Sequence, residues 1–460
     1  MRSLIKSVTS GKSVLILGYG REGRSTLRFL KQYCPGLPVT VADADESISR
    51  KYDELNDENI TLLTGPAYLG QLSRFGLVIK SPGVPLSKSG VPYNPANISS
   101  QTDLFIRAYA PQMAGITGTK GKSTTSTLLH HIIRTYTSDA LLAGNIGIPL
   151  FDLIEEITPS TRIVAELSSH QLEFLTRAPH IGILLNLYQE HLDHYTSFKH
   201  YQLAKFQIAL KQQQQDAFFY DAGDVNIQQL LDGFFTAGRK FPVSTATFEG
   251  NGAGISGNHI VLRSNSAERI LLPVDHGCML AGEHNLRNII FAASAAGMMG
   301  IPAEAIAEGV RTYVPLEHRI EFTGVYGGKR FYNDSISTIP EATIAAISTL
   351  RQVDTLILGG FDRGIDYLQL MEHLCNSQIK TIVFTGPAGK RMMELIKSGK
   401  NCKVIPAFEL KFDNAVKKAI AVTPPGGICL LSPAASSYDQ FSNFEERGKR
   451  FKELVKTKQL

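Results

Sequence analysis

The chain has 460 residues, enough for about three domains, and its 43% hydrophobic and 19% charged residues are typical of a globular protein. A net charge of +5, from 47 basic and 42 acidic residues without a basic block, argues against nucleic-acid binding. The five cysteines are scattered without C-x-x-C spacing, which predicts neither a disulfide framework nor a zinc site and favours the reducing cytoplasm.

The apolar segments of the chain are short. Residues 14–17 are too few for the core of a signal peptide. Residues 289–301, the most apolar later stretch, fall short of the roughly 20 residues that span a bilayer. We therefore expect a cytoplasmic protein with no integral membrane contact, and we expect it to be a monomer.

The first unit, residues 1–105, predicts a Rossmann-like α/β domain. A strand at residues 13–17 is followed by the turn Gly18-Tyr-Gly-Arg-Glu-Gly23, a helix, and a second strand that leads to Asp43. A third strand leads to residues 81–85 at the same edge of the sheet. Because Gly-x-Gly-x-x-Gly with a later acidic residue is the dinucleotide fingerprint, we expect a nucleotide diphosphate or a similar group at the start of that helix. The pattern leaves open which nucleotide binds.

Two further α/β units follow a Pro-, Asn- and Ser-rich boundary at residues 92–100 and a connecting helix at residues 101–109. The central domain, residues 106–314, alternates apolar strands with helices and predicts a P-loop-type ATPase fold. The third domain, residues 315–460, begins with a hairpin around Gly327-Gly328 and continues as a second Rossmann-like sheet. The main strands predicted in these units are residues 163–165, 181–186, 217–220, 355–358, 381–385 and 428–431.

The central domain contains a candidate phosphate loop, Gly115-Ile-Thr-Gly-Thr-Lys-Gly-Lys-Ser-Thr124. Gly118 and Gly121 would let backbone N–H groups approach a polyphosphate closely. Lys122 would reach the terminal phosphates, and the Ser123 hydroxyl would face Mg²⁺. The match is not literal, because the first glycine of the common pattern falls at Ile116. An ordinary glycine-rich turn is the alternative, but the helix predicted at residues 126–134 favours a loop that binds ATP.

Further polar residues of the central domain could bind the nucleotide or a metal. Glu166 ends a strand beside the phosphate loop, where a carboxylate could bind Mg²⁺. An ordinary carboxylate at a strand end is an equally good interpretation. Either histidine of Glu190-His-Leu-Asp-His194 could ligate a metal. Asn285 and Asn288 share one helix face and could contact adenine or phosphate, unless Asn285 caps the helix.

These motifs occur in one order along the chain: Gly118-Thr-Lys-Gly-Lys-Ser-Thr124, Glu166-Leu-Ser-Ser169, His191, Gly282-Glu-His-Asn285 and His318-Arg319. With Ala143-Gly-Asn-Ile-Gly147 and the tail at residues 431–448, they resemble the ATP-dependent Mur ligase family over essentially the whole chain. The resemblance implies an amide-bond ligase of cytoplasmic peptidoglycan precursor synthesis. Such an enzyme would use ATP and Mg²⁺ to add D-glutamate to UDP-N-acetylmuramoyl-L-alanine through an acyl phosphate.

The resemblance also implies a set of binding residues for each ligand. The set for the UDP-substrate is Gly20, Arg21, Glu22, Asp43, Gly83 and Asn145. The set for ATP is Gly118, Thr119, Lys120, Gly121, Lys122, Ser123, Thr124, Asn285, Asn288, Arg319 and Asp334. The set for the incoming amino acid is Thr338, Arg363, Ser437 and Phe444.

Metal binding and catalysis are implied in the same way. The metal set is Ser123, Glu166, His191 and Lys205, and the catalytic set is Lys122, His191 and Lys205. Lys205 matches a lysine that the family carbamylates, and a carbamate would turn this cation into an anion that ligates Mg²⁺. An unmodified lysine on a helix surface is the alternative for Lys205.

The chain departs from the family pattern near the incoming amino acid. Ile336 replaces a lysine, Arg363 stands where a lysine is usual, and Glu190 replaces an aspartate. The handedness of the glutamate is therefore open, and the chain could ligate L-glutamate instead. A folylpolyglutamate synthase, an NAD-dependent oxidoreductase built on the first glycine-rich turn, and a regulatory nucleotide-binding protein are further functions compatible with parts of the pattern.

Overall fold

A computed structural model describes residues 1–86, 89–145, 148–189, 194–246, 248, 250–265, 267–278, 280, 282–315, 317–350, 352–398 and 402–457. The chain divides into two compact units, Met1–Val314 and Pro315–Leu460. The described strands form two sheets in the first unit and one in the second. This arrangement is the α/β class that the sequence predicts.

Five of the described strands form the first sheet, which is parallel and has the order β3-β2-β1-β4-β5. Its strands are β1 (Val14–Leu17), β2 (Val39–Asp43), β3 (Ile60–Thr64), β4 (Leu77–Lys80) and β5 (Ile98–Ser99). The helices are α1 (Arg2–Thr9), α2 (Arg21–Tyr33), α3 (Ile48–Lys51) and α4 (Gln101–Tyr109). Strand β1 is Val-Leu-Ile-Leu and is buried along its whole length, as expected for a strand covered on both faces.

The second sheet has nine of the described strands, in the order β14-β13-β12-β11-β10-β9-β6-β8-β7. They are β6 (Met113–Thr117), β7 (Ala140–Gly144), β8 (Arg162–Glu166), β9 (Ile181–Leu184), β10 (Ala217–Asp221), β11 (Arg239–Val243), β12 (Gly252–Ser256), β13 (His259–Ser264) and β14 (Ala267–Pro273). The helices are α5 (Lys122–Tyr136), α6 (Ser169–Leu172), α7 (Phe198–Leu210), α8 (Val225–Gly233), α9 (Glu283–Met298) and α10 (Ala303–Thr312). Strands β12 to β14 form an antiparallel meander that the sequence pattern did not predict.

The first two sheets share a continuous hydrophobic core. The rings of Phe29 on α2 and Phe151, which follows β7, have centroids 4.6 Å apart. The Ser25 hydroxyl donates to the Asp152 carboxylate across 2.7 Å at the same contact. Apolar packing and hydrogen bonding therefore hold the two sheets together as one unit.

The second unit contains a sheet with the order β15-β16-β20-β17-β18-β19 among its described strands. They are β15 (Glu321–Tyr326), β16 (Lys329–Asn333), β17 (Val353–Gly359), β18 (Thr381–Thr385), β19 (Ile405–Glu409) and β20 (Ile428–Leu431). The helices are α11 (Pro340–Leu350), α12 (Leu368–Cys375), α13 (Gly386–Ser398), α14 (Phe412–Val422) and α15 (Phe444–Lys456). Strands β15 and β16 form the predicted antiparallel hairpin, and the remaining pairings are parallel.

Two further observations concern the cysteines and membrane insertion. The sulfur atoms of Cys375 and Cys402 are in disulfide contact, with Cα atoms 4.6 Å apart, whereas the cysteine spacing predicted no pairing. The two residues are 27 positions apart, and the fold alone brings the end of α12 beside the segment before β19. Within the described ranges, no helix combines the length and the apolar character needed to cross a bilayer.

Candidate functional site

A cavity of about 480 Å³ lies in the first unit, where the loops after β1, β2, β4 and β7 meet. Its walls contain every residue of the predicted UDP-substrate set: Gly20, Arg21, Glu22, Asp43, Gly83 and Asn145. The fold therefore brings these six positions together from four separate loops. Several more residues of the wall, among them Tyr68, Pro149 and Gln171, lie outside the sequence motifs and were missed.

The protein's own side chains fix the loops around this cavity. The Asp43 carboxylate accepts hydrogen bonds from the backbone N–H groups of Tyr19, at 2.6 Å, and Asp45, at 2.8 Å. The Ser81 hydroxyl donates to the Gly18 carbonyl across 2.7 Å. Gly18 has a φ of 89°, a conformation that glycine adopts without strain. The first glycine-rich loop is thus held by residues from two neighbouring strand ends.

Glu22 places a partly unsatisfied carboxyl group in the cavity wall. Its Oε1 atom accepts a hydrogen bond from Gln171 Nε2 across 2.8 Å. Its Oε2 atom is buried and has no hydrogen-bond partner among the described residues. Burial raises the pKa of Glu22, and the Gln171 amide and the charges of Lys80 and Arg21 oppose that shift.

The phosphate loop connects β6 to α5 and has the backbone that its glycines predict. Gly118 has a φ of 150° and Gly121 a φ of 85°. A Cβ atom on Gly121 would lie 2.7 Å from Asn288 Oδ1. The left-handed φ of Gly121 therefore favours glycine, and a side chain here would also have to displace the Asn288 amide of helix α9. Because Gly121 is the N-cap, helix α5 begins at Lys122, four residues earlier than the sequence predicted.

Lysine and asparagine side chains complete this loop. The Lys122 ammonium donates to the carbonyl oxygens of Gly118 and Thr119, each across 2.9 Å. Asn186, which follows β9, accepts from the Lys120 N–H at 2.8 Å and returns a bond to the Lys120 carbonyl at 3.1 Å. Asn186 was missed from the sequence, because no motif marks a single asparagine after a strand.

Glu166 joins the phosphate loop to the cavity. It ends strand β8, which pairs with β6, so that Glu166 lies beside Ile116 in the sheet. Its side chain is only 2% exposed, and its Oε1 atom accepts from Asn145 Nδ2 across 2.8 Å. Its Oε2 atom is buried without a hydrogen-bond partner among the described residues. A buried carboxylate oxygen beside a phosphate loop is suited to a hard cation such as Mg²⁺.

Lys205 lies against the same loop. It projects from α7, is 2% exposed, and donates to the Gly118 carbonyl across 2.8 Å and to Thr117 Oγ1 across 3.4 Å. The hypothesis of a lysine on a helix surface is therefore wrong. The Tyr201 ring centroid lies 5.0 Å from the Lys205 ammonium. Glu190, His191 and the two residues that follow lie outside the described residues.

The remaining candidates of the central domain differ in their placement. Helix α9 begins at Glu283 after the N-cap Gly282, so Asn285 does not cap it. The Asn288 amide lies 3.4 Å from Asn285 Oδ1, which places both side chains on one face as predicted. His194 does not join a metal site in the part of the chain that the structure describes. Its ring instead packs 4.0 Å from that of His170, and its Nε2 atom lies 3.8 Å from a Glu173 carboxylate oxygen.

The second unit holds the predicted residues Arg319 and Asp334 at the open end of the β15–β16 hairpin, where Glu321 pairs with Asn333. Asp334 accepts from Ser432 Oγ at 2.7 Å and from the Ile320 N–H at 3.2 Å. Burial raises the pKa of Asp334 to about 6. His318 and Ile320, which flank Arg319, both have positive φ angles. The turn that carries Arg319 is therefore strained, and strain of this kind is common at functional sites.

The predicted amino-acid set lies on neighbouring loops of the second unit. Arg363 Nη2 donates to the Thr338 carbonyl across 2.9 Å. Ser437 is buried, and Phe444 begins helix α15. Ile336, where the family has a lysine, is half-buried and donates its N–H to the His318 carbonyl. The Ser335 hydroxyl, one residue before Ile336, donates to the Phe444 carbonyl across 2.8 Å and joins these loops to α15.

Comparisons with known proteins agree with this architecture. The profile of the Mur ligase middle domain matches residues 116–296, and that of the Mur ligase MurD-like N-terminal domain matches residues 12–94. UDP-N-acetylmuramoylalanine–D-glutamate ligases from Desulfitobacterium hafniense and Acidobacterium capsulatum are each 34% identical. The alignments cover 97% of this chain in both cases, and 97% and 96% of the two relatives. This chain belongs to the Mur ligase family.

A solved structure shows the same fold at lower sequence identity. The MurF ligase from Thermotoga maritima, solved in complex with ADP, superposes with a TM-score of 0.53 at 13% identity. The match covers 98% of this chain and 97% of that one. The full-length relationship to ligases decides against an NAD-dependent oxidoreductase.

Proposed function

We propose that this protein uses ATP to join D-glutamate to UDP-N-acetylmuramoyl-L-alanine in the cytoplasmic synthesis of peptidoglycan precursors. The main support is the position of Asn145, which lines the cavity and also donates to Glu166 beside the phosphate loop. A substrate bound in the cavity would thus extend toward bound ATP. The names of the full-length relatives support the choice of substrates.

The reaction requires activation because a free carboxylate has a poor leaving group. An oxygen of the alanyl carboxylate would attack the γ-phosphorus of ATP, and the bond from that phosphorus to the β-γ bridging oxygen would break and release ADP. Lys122, which donates to two loop carbonyls, would donate instead to the phosphoryl oxygens as charge moves onto them. The product is an acyl phosphate with phosphate as a good leaving group.

The glutamate amine would complete the amide bond. Its nitrogen attacks the acyl carbon, a tetrahedral intermediate forms, and the carbon–oxygen bond to phosphate breaks as the amine loses a proton. Thr338, Arg363, Ser437 and Phe444 would hold the incoming amino acid. Arg363 is exposed, and its guanidinium could contact a carboxylate with two parallel hydrogen bonds.

A metal ion fits the donors beside the loop. Ser123, Glu166, His191 and a carbamate on Lys205 would hold Mg²⁺, which supplies positive charge next to the phosphates. The buried Oε2 atom of Glu166 supports this assignment, because it has no partner among the described residues. Asn285, Asn288, Arg319 and Asp334 would contact other parts of ATP. The contact between Asn288 and the phosphate loop supports a role for α9.

Ligation of L-glutamate is the second candidate, favoured by Ile336 in place of a lysine. The deciding experiment measures phosphate release and amide formation by purified protein with ATP, Mg²⁺ and UDP-N-acetylmuramoyl-L-alanine, with D- or L-glutamate. We expect product with D-glutamate. Product only with L-glutamate would keep the ligase and reverse its stereochemistry, and no product with either amino acid would refute the proposed function.

A further inference from the structure

Arg447 is a buried cation beneath the loops of the amino-acid region. It lies in the first turn of α15 and is 2% exposed. The ion pairs found for α15 among the described residues involve Arg450, with Asp413 and Glu453, and Lys452. The guanidinium of Arg447 therefore has no ion-pair partner in the part of the chain that the structure describes. A buried charge without such a partner is costly and needs a reason to be kept.

The side-chain hydrogen bonds of Arg447 within the described residues lead to the loops that carry the predicted amino-acid set. Its Nε and Nη2 atoms donate to the Ser335 hydroxyl at 3.0 Å and to the Ser335 carbonyl at 2.9 Å. Its Nη1 atom donates to the Ala435 carbonyl at 3.0 Å. Ser335 lies shortly before Thr338, and Ala435 lies shortly before Ser437. One planar group thus fixes the backbone on both sides of the predicted site.

A third loop contacts the same group. A Cβ atom on Gly360 would lie 3.0 Å from Arg447 Nη1 and 2.2 Å from the Ser436 carbonyl. Gly360 belongs to the loop that leads to Arg363. The Ser436 hydroxyl is buried and has no hydrogen-bond partner among the described residues. The three loops therefore meet around Arg447 and leave one buried polar atom unsatisfied at that point.

We propose that Arg447 is a positioning residue for the acceptor amino acid. It fixes the loops that carry Thr338 and Ser437, and it places a positive charge beneath them. This inference rests on the proposed function, because a dicarboxylate acceptor such as glutamate would bring negative charge to these loops. Burial lowers the pKa of Arg447 to about 9, against the opposing charge of Asp439, so the guanidinium stays protonated at neutral pH.

The test compares Arg447→Lys and Arg447→Gln with the wild-type enzyme. Lysine keeps the charge but cannot donate to Ser335 and Ala435 with the geometry of a guanidinium, and glutamine also loses the charge. We expect the KM for glutamate to rise about tenfold in Arg447→Lys and further in Arg447→Gln, with the KM values for ATP and the UDP-substrate within about twofold of wild type. Arg450→Gln, which removes an arginine from the solvent side of the same helix, should leave all three KM values unchanged.

Two results would overturn the inference, and a further variant tests it if the Arg447 variants do not fold. A glutamate KM that stays at the wild-type value in both variants removes Arg447 from the acceptor site. A parallel rise of all three KM values shows that Arg447 serves only the general structure of the unit. If the Arg447 variants do not fold, Ser335→Ala is the second test: it removes one acceptor of Arg447 together with the bond from Ser335 to the Phe444 carbonyl, and a glutamate KM that stays at the wild-type value would overturn the inference. Failure of the proposed function is seen separately, as absence of product in the wild-type reaction.

Discussion

The first unit contains two glycine-rich loops that look alike in sequence but differ in their surroundings. Each connects a buried parallel strand to a helix, one at residues 18–20 and the other at residues 118–121. In the first loop, the Asp43 carboxylate occupies the N–H of Tyr19, and Glu22 adds a second acid to the cavity wall. In the second loop, Lys122 and Ser123 open the helix and no acid follows them in the first turn.

This contrast bears on which ligand each loop can hold. A backbone N–H that already binds a carboxylate is not available to a phosphate, so the first loop has less capacity for negative charge than its glycines suggest. The helix after the second loop begins with a lysine and a serine, whereas the helix after the first loop begins with an arginine and a glutamate. Because the second site lacks this glutamate, it suits the more highly charged triphosphate. We infer that the two loops divide the substrates, with the UDP-substrate at the first and ATP at the second.

The largest effect should come from the cation of the second loop. Lys122→Ala should reduce phosphate release at least about 1000-fold, because the charge that stabilises the transferring phosphoryl group is lost. The melting temperature should stay near that of wild type, since Lys122 is half-buried and its bonds to Gly118 and Thr119 lie within its own loop. Lys240→Ala, which changes an exposed lysine of β11, is the matched control. Turnover retained by Lys122→Ala would remove this loop from the mechanism.

Bicarbonate dependence and a Lys205 variant together test whether catalysis at the second loop also depends on a carbamate. Removal of CO₂ should lower the activity of the wild-type enzyme and bicarbonate should restore it, and Lys205→Ala should lose about 100-fold with no response to bicarbonate. The carbamate itself should give a ¹³C NMR signal after incubation of wild-type protein with ¹³C-bicarbonate. An active Lys205→Ala variant, together with wild-type activity that ignores bicarbonate, would reject the modification.

The glycines of the two loops should differ in their tolerance of a methyl group. Gly121→Ala forces a residue with a Cβ atom into a φ of 85° and against Asn288, which should cost about 1–2 kcal/mol and lower the melting temperature. Gly20 has a φ of −76°, and a Cβ atom there meets nothing within 4 Å. Gly20→Ala should therefore melt within about 1 °C of wild type. Equal melting temperatures for the two variants would contradict the difference between the loops.

The elements that depend on local patterns could be predicted from the sequence. The α/β class follows from apolar runs and glycine spacing, and it is confirmed. Helix α4 has the bounds that the sequence predicted, because Ser100 is a strong N-cap that accepts from the Asp103 N–H. The strands β12 to β14 were missed because glycine, serine and charged residues interrupt their apolar pattern.

Properties that depend on tertiary packing could not be predicted. The burial of Lys205 follows from the seating of α7 against the phosphate loop, and nothing in the helix sequence marks that residue as buried. Cys375 and Cys402 meet only because the segments that lead into the paired strands β18 and β19 lie side by side in the folded unit. Arg447 was missed for the same reason, since an arginine at the start of a helix usually faces solvent.

The smallest expected effect tests the acid of the first loop. Burial raises the pKa of Glu22, so its carboxyl is neutral to a higher pH than that of an exposed glutamate. As the pH rises, Glu22 ionises and adds a negative charge beside the site proposed for the UDP-substrate. The stabilisation of the folded protein that neutral Glu22 contributes is lost over the same pH range.

Binding of the UDP-substrate, measured by calorimetry, should therefore weaken about threefold in the wild type as the pH is raised above the ordinary glutamate pKa of 4.5 and Glu22 ionises. It should stay constant in Glu22→Gln, which keeps a carbonyl oxygen to accept from Gln171 but cannot ionise. Glu58→Gln, at an exposed position of the same unit, should behave as wild type. An unchanged pH dependence in Glu22→Gln would show that this carboxyl does not face the ligand, and the acidic character of the first loop would then come from Asp43 alone.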